Sequence, residues 1–396
     1  MARRIAIPSK EVQLRVVGNR DVGKVARVQR LSLTADKPST DIDELGNRLH
    51  AGTIEDSPAI TATFQLMDVG IKAFAVLTGR DAANFPAGGV SITEMTEVDV
   101  IVDVKSDSLE DYVKAAHSKR CAIRDFTYTY SVTAESTEEY TLIGSTKRWF
   151  KNDVVVDKFS TGTTSFTLSQ TPVVLKNGNY AMSVVLDGVY LEEVTAAPAA
   201  GEYRIVGTTL TTGSSRTSQV LAVYQAAPSG TNWSDIADIS MPAAVRGIDV
   251  PVLIGANGID RVQSITLNGS FNPEAVREMG NRDIVGYQTQ NASVTGTITV
   301  LDTDTELVAL FTTGQLNPAD TEFSASEFTY SGISLEIKIL DPDDKSANPV
   351  VLKTLYIPEV AITNEGFTSN VNSNATQTFE FRSRTGDLIV YSGAKA

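Results

Sequence analysis

Residues able to do chemistry are scarce in this chain. Cys121 is the only cysteine, and His50 and His117 are the only histidines, among 396 residues. A structural zinc site needs several thiolate or imidazole ligands, and a thiol nucleophile needs a base beside it. One cysteine makes no intrachain disulfide, so Cys121 reads as a small buried hydrophobe. His50 and His117 lack the one-turn helical spacing of a two-histidine metal motif. The segment Gly18-Asn-Arg-Asp-Val-Gly23-Lys24-Val25 stops one residue short of a phosphate-cradling loop. Val25 has no oxygen for Mg²⁺, and the VARVQRLSLT that follows reads as a strand where a helix is required.

Carboxylates cluster at Asp41, Asp43 and Glu44 and again at Asp341, Asp343 and Asp344. Acid–base work needs a set separation inside a cleft, and solvated loop faces are the simpler account. Asn232, Asn268, Asn291 and Asn374 match a glycosylation acceptor pattern, which carries no meaning without a secretory signal. The expectation is therefore no enzyme, no cofactor and no metal. The opening MARRIAIPSKEVQLRVVGNR has no apolar stretch of signal-peptide length, and nowhere do about 18 apolar residues run together. A chain made in the cytoplasm, with no membrane insertion of its own, is expected.

The elements that would position any site read as β. Val98, Val100, Val102 and Val104 alternate with polar partners, as do Leu335, Ile337 and Ile339, the period of half-buried strands. Phe126, Tyr128 and Tyr130 lead into Tyr140-Thr-Leu-Ile, and Val360-Ala-Ile-Thr leads into Thr378-Phe-Glu-Phe. One amphipathic helix is expected over 106–120, with acids in its first turn, bases in its last and Leu109, Tyr112, Val113 and Ala116 on one face. Short helices are expected at 68–78 and 303–313.

An internal repeat organises the chain. Shifting the sequence by 234 positions aligns Arg27-Val-Gln with Arg261-Val-Gln, Glu44-Leu-Gly-Asn-Arg48 with Glu278-Met-Gly-Asn-Arg282, and Thr61, Thr63 and Asp68 with Thr295, Thr297 and Asp302. Residues 151–228 match neither copy. Their short apolar runs, punctuated by Asn177-Gly178 and Asp187-Gly188, predict hairpins of a small inserted β-sandwich. The expected organisation is copy one at 1–150, the insert at 151–228 and copy two at 229–396.

Charge bounds the partners. The chain has 34 Lys plus Arg against 48 Asp plus Glu, a net −14, which argues against sequence-independent nucleic-acid binding. The first 30 residues nevertheless carry +6, leaving −20 on the rest. This predicts an amino-terminal arm, with Arg3, Arg4, Lys10 and Arg15, that docks on an acidic neighbour. The paired loops, Glu44, Gly46, Asn47 and Arg48 with Glu278, Gly280, Asn281 and Arg282, read either as local left-handed turns with an ion pair or as assembly contacts used once per copy.

The repeated strand, the Glu-x-Gly-Asn-Arg turn, the Thr-x-Thr strand and the late Tyr-rich strand before TAESTEEYTLIGS resemble bacteriophage tail tube proteins of the duplicated kind. The resemblance covers 1–150 and 229–396. It implies a mainly β fold of two tandem antiparallel sandwich or barrel domains with a short flanking helix. It also implies trimeric rings of pseudo-sixfold symmetry, stacked into a tube in the virion tail, other tail proteins as partners, and DNA passing without specific binding. On that reading Asp99, Asp103 and Glu336 are candidates for an acidic lumen wall, and the insert would project outward. The alternatives are a β-rich module binding a host-surface glycan, or another virion ring protein, a tail terminator or baseplate component, of the same fold.

Overall fold

The computed structural model describes residues 12–395 except 19–21, 26, 46–49, 51, 56–57, 68–69, 106–111, 145, 152–153, 161, 176–177, 216–218, 227–243, 256, 280–283, 302–304, 316–321, 325–331 and 372–373. The chain is mainly β. The first half carries β1 (Val12–Val17), β2 (Val22–Val25), β3 (Val28–Asp36), β4 (Ser39–Ile42), β5 (Gly52–Glu55), β6 (Ala59–Leu66), α1 (Lys72–Leu77), β7 (Val90–Ser91), β8 (Val98–Lys105), β9 (Tyr112–Ser131), β10 (Thr137–Gly144) and β11 (Thr146–Phe150). The middle carries β12 (Val154–Phe159), β13 (Ser165–Thr167), β14 (Met182–Leu186), β15 (Val189–Tyr190), β16 (Glu192–Glu193), β17 (Glu202–Val206), β18 (Thr209–Thr212) and β19 (Val220–Gln225). The last part carries β20 (Val252–Ile254), β21 (Asn257–Ile259), β22 (Val262–Ser270), β23 (Glu274–Val276), β24 (Gly286–Gln288), β25 (Ser293–Leu301), α2 (Glu306–Thr313), β26 (Leu335–Leu340), β27 (Val351–Ile357), β28 (Val360–Thr368), β29 (Thr376–Ser383) and β30 (Ile389–Ser392).

The helix expected over 106–120 is not formed: Tyr112 to Arg120 are the first part of the 20-residue strand β9, and 106–111 lie outside the described residues. On the strand successive residues face opposite sides. Ala116 enters the main core while Ala115 packs toward the insert. Pairing with β8 on one side and β11 on the other commits the backbone to the ladder, so tertiary context overrides the helical pattern. The short helices expected at 68–78 and 303–313 are α1 and α2, and α2 ends on Gly314 in the left-handed conformation that favours glycine.

Several strands of the first and last parts correspond in order and register. At the shift of 234, β3 falls on β22, β6 on β25 and the hairpin β4–β5 on β23–β24. Val28↔Leu66 and Val262↔Val300 are equivalent rungs, each followed by a one-residue bulge. Arg27 and Arg261 both have positive φ, and each carbonyl accepts from the equivalent amide, Met67 N at 3.1 Å and Leu301 N at 3.1 Å. Farther along the offset becomes 239: β10 falls on β29, and the bulge at Arg124 of β9 recurs at Thr363 of β28.

Two layers of sheet face each other across one core. The larger is eight strands long, in the order β3-β6-β10-β9-β22-β25-β29-β28, and its centre is the antiparallel pairing of β9 with β22 that joins the two halves. Against it lie β2-β1-β8-β9-β11 in the first half and β21-β20-β26-β27-β30 in the second, with β7 of the first half added beside β30 and β9 serving both layers. Phe64, Phe126, Tyr128, Tyr140, Ile265, Leu267, Ile298, Phe379 and Phe381 fill the interior. The opposite face of the eight-stranded sheet is rich in hydroxyls, including Thr61, Thr63, Thr127, Thr129, Thr141, Thr266, Thr297, Thr299 and Thr378, the polar side of a one-faced antiparallel sheet.

The middle segment adds two layers. Its sheet β12-β19-β14-β15 packs one face on β13-β18-β17-β16 and the other on the outer face of β1, β8, β9 and β11. Buried on both faces, β14 (MSVVL) and β19 (VLAVYQ) are continuous buried runs rather than alternating ones.

The seam between β9 and β22 has little room. A Cβ on Gly269 would lie 2.0 Å from the Phe126 ring. Gly269→Ala is expected to cost about 1–3 kcal/mol in urea unfolding, whereas Gly258→Ala in β21, where nothing lies within 4 Å, should stay within about 0.5 kcal/mol.

Candidate assembly surfaces

The seam is also where charge is buried. Glu138 on β10 lies in phase with Tyr140 and Leu142, and Lys353 on β27 in phase with Leu355 and Ile357, so both point into the core. They meet as an ion pair with both side chains 0% exposed. Lys353 Nζ also donates to Gly70 O at 3.4 Å and sits 5.3 Å from the Tyr128 ring centroid. Glu138 accepts from Tyr140 OH at 2.9 Å, and Tyr140 and Tyr128 share a hydroxyl contact at 3.0 Å. Burial, reinforced by the Glu138 charge, pushes both phenols well above their ordinary value. The signal was present in sequence: a charged residue at an apolar parity of a strand must find a partner across the core.

A second buried polar cluster fixes the middle segment. Arg15 on β1 forms a two-pronged pair with Asp103 on β8, at 2.7 and 2.9 Å, and donates to Val154 O at 2.7 Å. Asp99 on β8 is contacted by His117 at 2.9 Å, Tyr190 OH at 2.9 Å and the Arg120 amide at 2.9 Å, while Lys119 donates to Met182 O. Burial raises the Asp99 carboxyl, but its hydrogen bonds and the neighbouring cations outweigh that and hold it below the ordinary 3.8. Burial lowers the Lys119 ammonium to about 8. Burial, with Asp99 and Glu97 adding to it, pushes the enclosed Cys121 thiol up, which disfavours the thiolate form.

These contacts correct three expectations. Asp99 and Asp103 do not face an open channel; they lie 1% and 0% exposed beneath the middle segment. Arg15 is not a docking residue for a neighbour, because Asp103 and Val154 hold it inside its own chain. Strand alternation reveals that two faces differ but not what covers each. Glu336 is partly exposed beside Lys338, 3.2 Å away, on the face of β26 turned from the eight-stranded sheet. Arg3, Arg4 and Lys10 lie outside the described residues.

The matched hairpins β4–β5 and β23–β24 carry exposed apolar groups at equivalent places. Leu45 and Met279 at the tips are fully exposed, and Ile42 and Val276 are 41% and 42% exposed. Glu44 and Glu278 are exposed beside them, while Gly46, Asn47, Arg48, Gly280, Asn281 and Arg282 lie outside the described residues. The acidic loop residues organise their own loops. Asp43 contacts His50 at 2.6 Å, Asp41 accepts from Thr53 at 3.1 Å, and Asp341 and Asp344 accept backbone amides of Asp343, Ser346 and Val350.

Among the described residues no strand pairs with the outer edge of β3 or of β28. Phe367 on β28 is 60% exposed, although its counterpart Tyr128 at the seam is fully buried. Leu31 and Leu33 on β3 are half-buried, whereas Ile265 and Leu267 at the seam are 1% and 0% exposed.

Lys353→Met should cost about 3–5 kcal/mol by leaving Glu138 charged and buried, and Glu138→Leu added to it should recover most of that loss in denaturant unfolding. The Asp99 contribution is present above the ordinary carboxylate value and lost as pH falls through its lower folded-state value. Asp99→Asn should therefore lower stability at pH 7 and flatten the loss below about pH 4 in an acid titration followed by circular dichroism. No protein-family model matches the chain, and no curated protein matches it.

Proposed function

We propose that this chain is a structural subunit that closes into rings and stacks them into a tube, the tail tube of a bacteriophage, through which DNA passes. The observation that carries the reading is the eight-stranded sheet built from two matching four-stranded halves joined edge to edge, with the equivalent edges of its outermost strands unpaired among the described residues. A contact that repeats head to tail either closes a ring or grows a filament, and in both cases it consumes the open edges. Three chains supply six matching halves, the pseudo-sixfold arrangement of the tail tube proteins that the sequence resembles.

The open face of that sheet suits an inner wall. Its hydroxyls are interspersed with Asp36, Asp125, Glu139 and Glu380 and with Arg30 and Arg382, which stand on opposite halves, and phosphate is held mainly by clustered Lys and Arg, so DNA finds little there to bind. The middle segment lies on the opposite side of the first half, separated from that face by two sheets. On this reading it decorates the outside. The exposed tips Leu45 and Met279 supply apolar contacts between successive rings.

Electron microscopy of the purified protein tests this reading. Rings with threefold repeats, alone or stacked, are the expected result, and a chain that stays monomeric at every concentration overturns it. Leu45→Asp with Met279→Asp should shorten or abolish stacks while leaving single rings, and unchanged tube length would remove the tips from the stacking contact.

A further inference from the structure

The internal seam is a template for a second contact. It has two sides: β9 with Glu138 from the first half, and β22 with Lys353 from the second. The strand equivalent to β9 is β28, reached by adding 239, and the strand equivalent to β22 is β3, reached by subtracting 234. Among the described residues neither outer edge is paired, and Phe367 on β28 is exposed and Leu31 and Leu33 on β3 half-buried where the seam buries their counterparts. Since the same geometry is present twice with one join made, the partner of each open edge is the other edge on a second copy of this chain.

The geometry points to one register for that contact. At the seam Thr129 faces Thr266 and Thr127 faces Asn268. Carried to the open edges, Thr368 of one copy faces Ser32 of the next, and Gly366 faces Thr34. The seam bond from Ser270 Oγ to Asp125 at 2.9 Å becomes Asn364 donating to Asp36, the same polar rung with donor and acceptor exchanged between strands. Phe367 takes the place of Tyr128 and is covered. The Leu33 carbonyl, which now accepts from Lys147 Nζ at 2.5 Å, takes an amide of β28 in its place.

The charge pair is carried over in altered form. Lys353 corresponds to Lys114, and Glu138 corresponds to Gln377. Gln377 cannot balance a buried ammonium by itself, but its side chain donates to Glu365 at 2.8 Å, on the strand that bears Phe367. Lys114 of the next copy therefore sits against Phe367 and is neutralised by Glu365. In the isolated chain Lys114 rests over Trp149, 4.7 Å from the ring, and Glu365 is partly exposed.

This inference rests on the ring reading, and cysteine pairs separate the two. Ser32→Cys with Thr368→Cys, and Thr34→Cys with Gly366→Cys, occupy rungs equivalent to non-hydrogen-bonded pairs of the seam, where Cα atoms come closest. Cys121 is buried and does not compete. Mild oxidation should link each pair into covalent multimers on a denaturing gel. The shifted pairs Ser32→Cys with Gly366→Cys, and Thr34→Cys with Thr368→Cys, should not link. Rings seen by microscopy with linking only in the shifted pairs, or in none, would overturn the register and leave the ring reading standing. Absence of any assembly overturns both. Lys114→Glu should weaken association about tenfold or more in analytical ultracentrifugation, with the thermal midpoint of the monomer checked alongside, and adding Glu365→Lys should restore it. Failure of that rescue in a folded double variant would remove the Lys114–Glu365 contact.

Discussion

One long strand serves two sheets, and the rest of the structure depends on how it does so. The first part of β9 pairs with β8 and β11, and its second part pairs with β10 and β22. The change occurs at Arg120, whose φ is +48°. Its amide is held by Asp99 and its guanidinium by Glu97 at 2.7 Å. A left-handed arginine costs free energy that local hydrogen bonds must offset. The second half solves the same corner with a break: Pro358 and Glu359 separate β27 from β28, and proline supplies no ladder donor there. Both solutions bring a strand out of one sheet and present it at the edge of the other.

From that corner follows the seam. Once β9 delivers Phe126, Tyr128 and Tyr130 to the edge of the first half, β22 offers Gly269 opposite Phe126 and Leu267 opposite Tyr128. At the Phe126 rung a large ring meets a glycine, as close packing requires. The Glu138–Lys353 pair lies beside these rings, bridging the halves through the core. Such a pair contributes little net stability against an apolar replacement, but it strongly disfavours any relative placement of the halves that separates the charges. It thereby acts on specificity of docking more than on its strength.

The two halves diverge where their surroundings do. On the outer face of the first half, Arg15, Asp99, Asp103 and His117 are buried because the middle segment covers them and Tyr190 and Val154 complete their hydrogen bonds. On the second half the equivalent face is lined by residues such as Glu336, Lys338 and Tyr356, partly exposed, with Lys395 3.4 Å from the Tyr356 ring centroid. One face is built to receive another layer and the other to meet water. The asymmetry gives each chain a distinct outer surface while leaving the hydroxyl-rich face common to both halves.

The sequence by itself determined the β character of most segments and the correspondence of residues 27–66 with 261–300. Period-two alternation in β10, β25 and β26 follows from a sheet with one apolar face, a local property of side-chain order. The Asp187-Gly188 hairpin follows from the positive φ that those two residues adopt. The repeat was readable because Arg27 and Arg261 occupy the same backbone turn. The tertiary structure alone decided that 112–120 is a strand, since Ala115, Ala116 and His117 satisfy both periodicities and only pairing with β8 and β11 distinguishes them. It alone decided that Asp99 and Asp103 are enclosed and that Glu138 finds Lys353, because alternation says that two faces differ while the covering layer comes from residues far along the chain. Burial and charge pairing are properties of what meets a face, and that is settled only when distant segments pack.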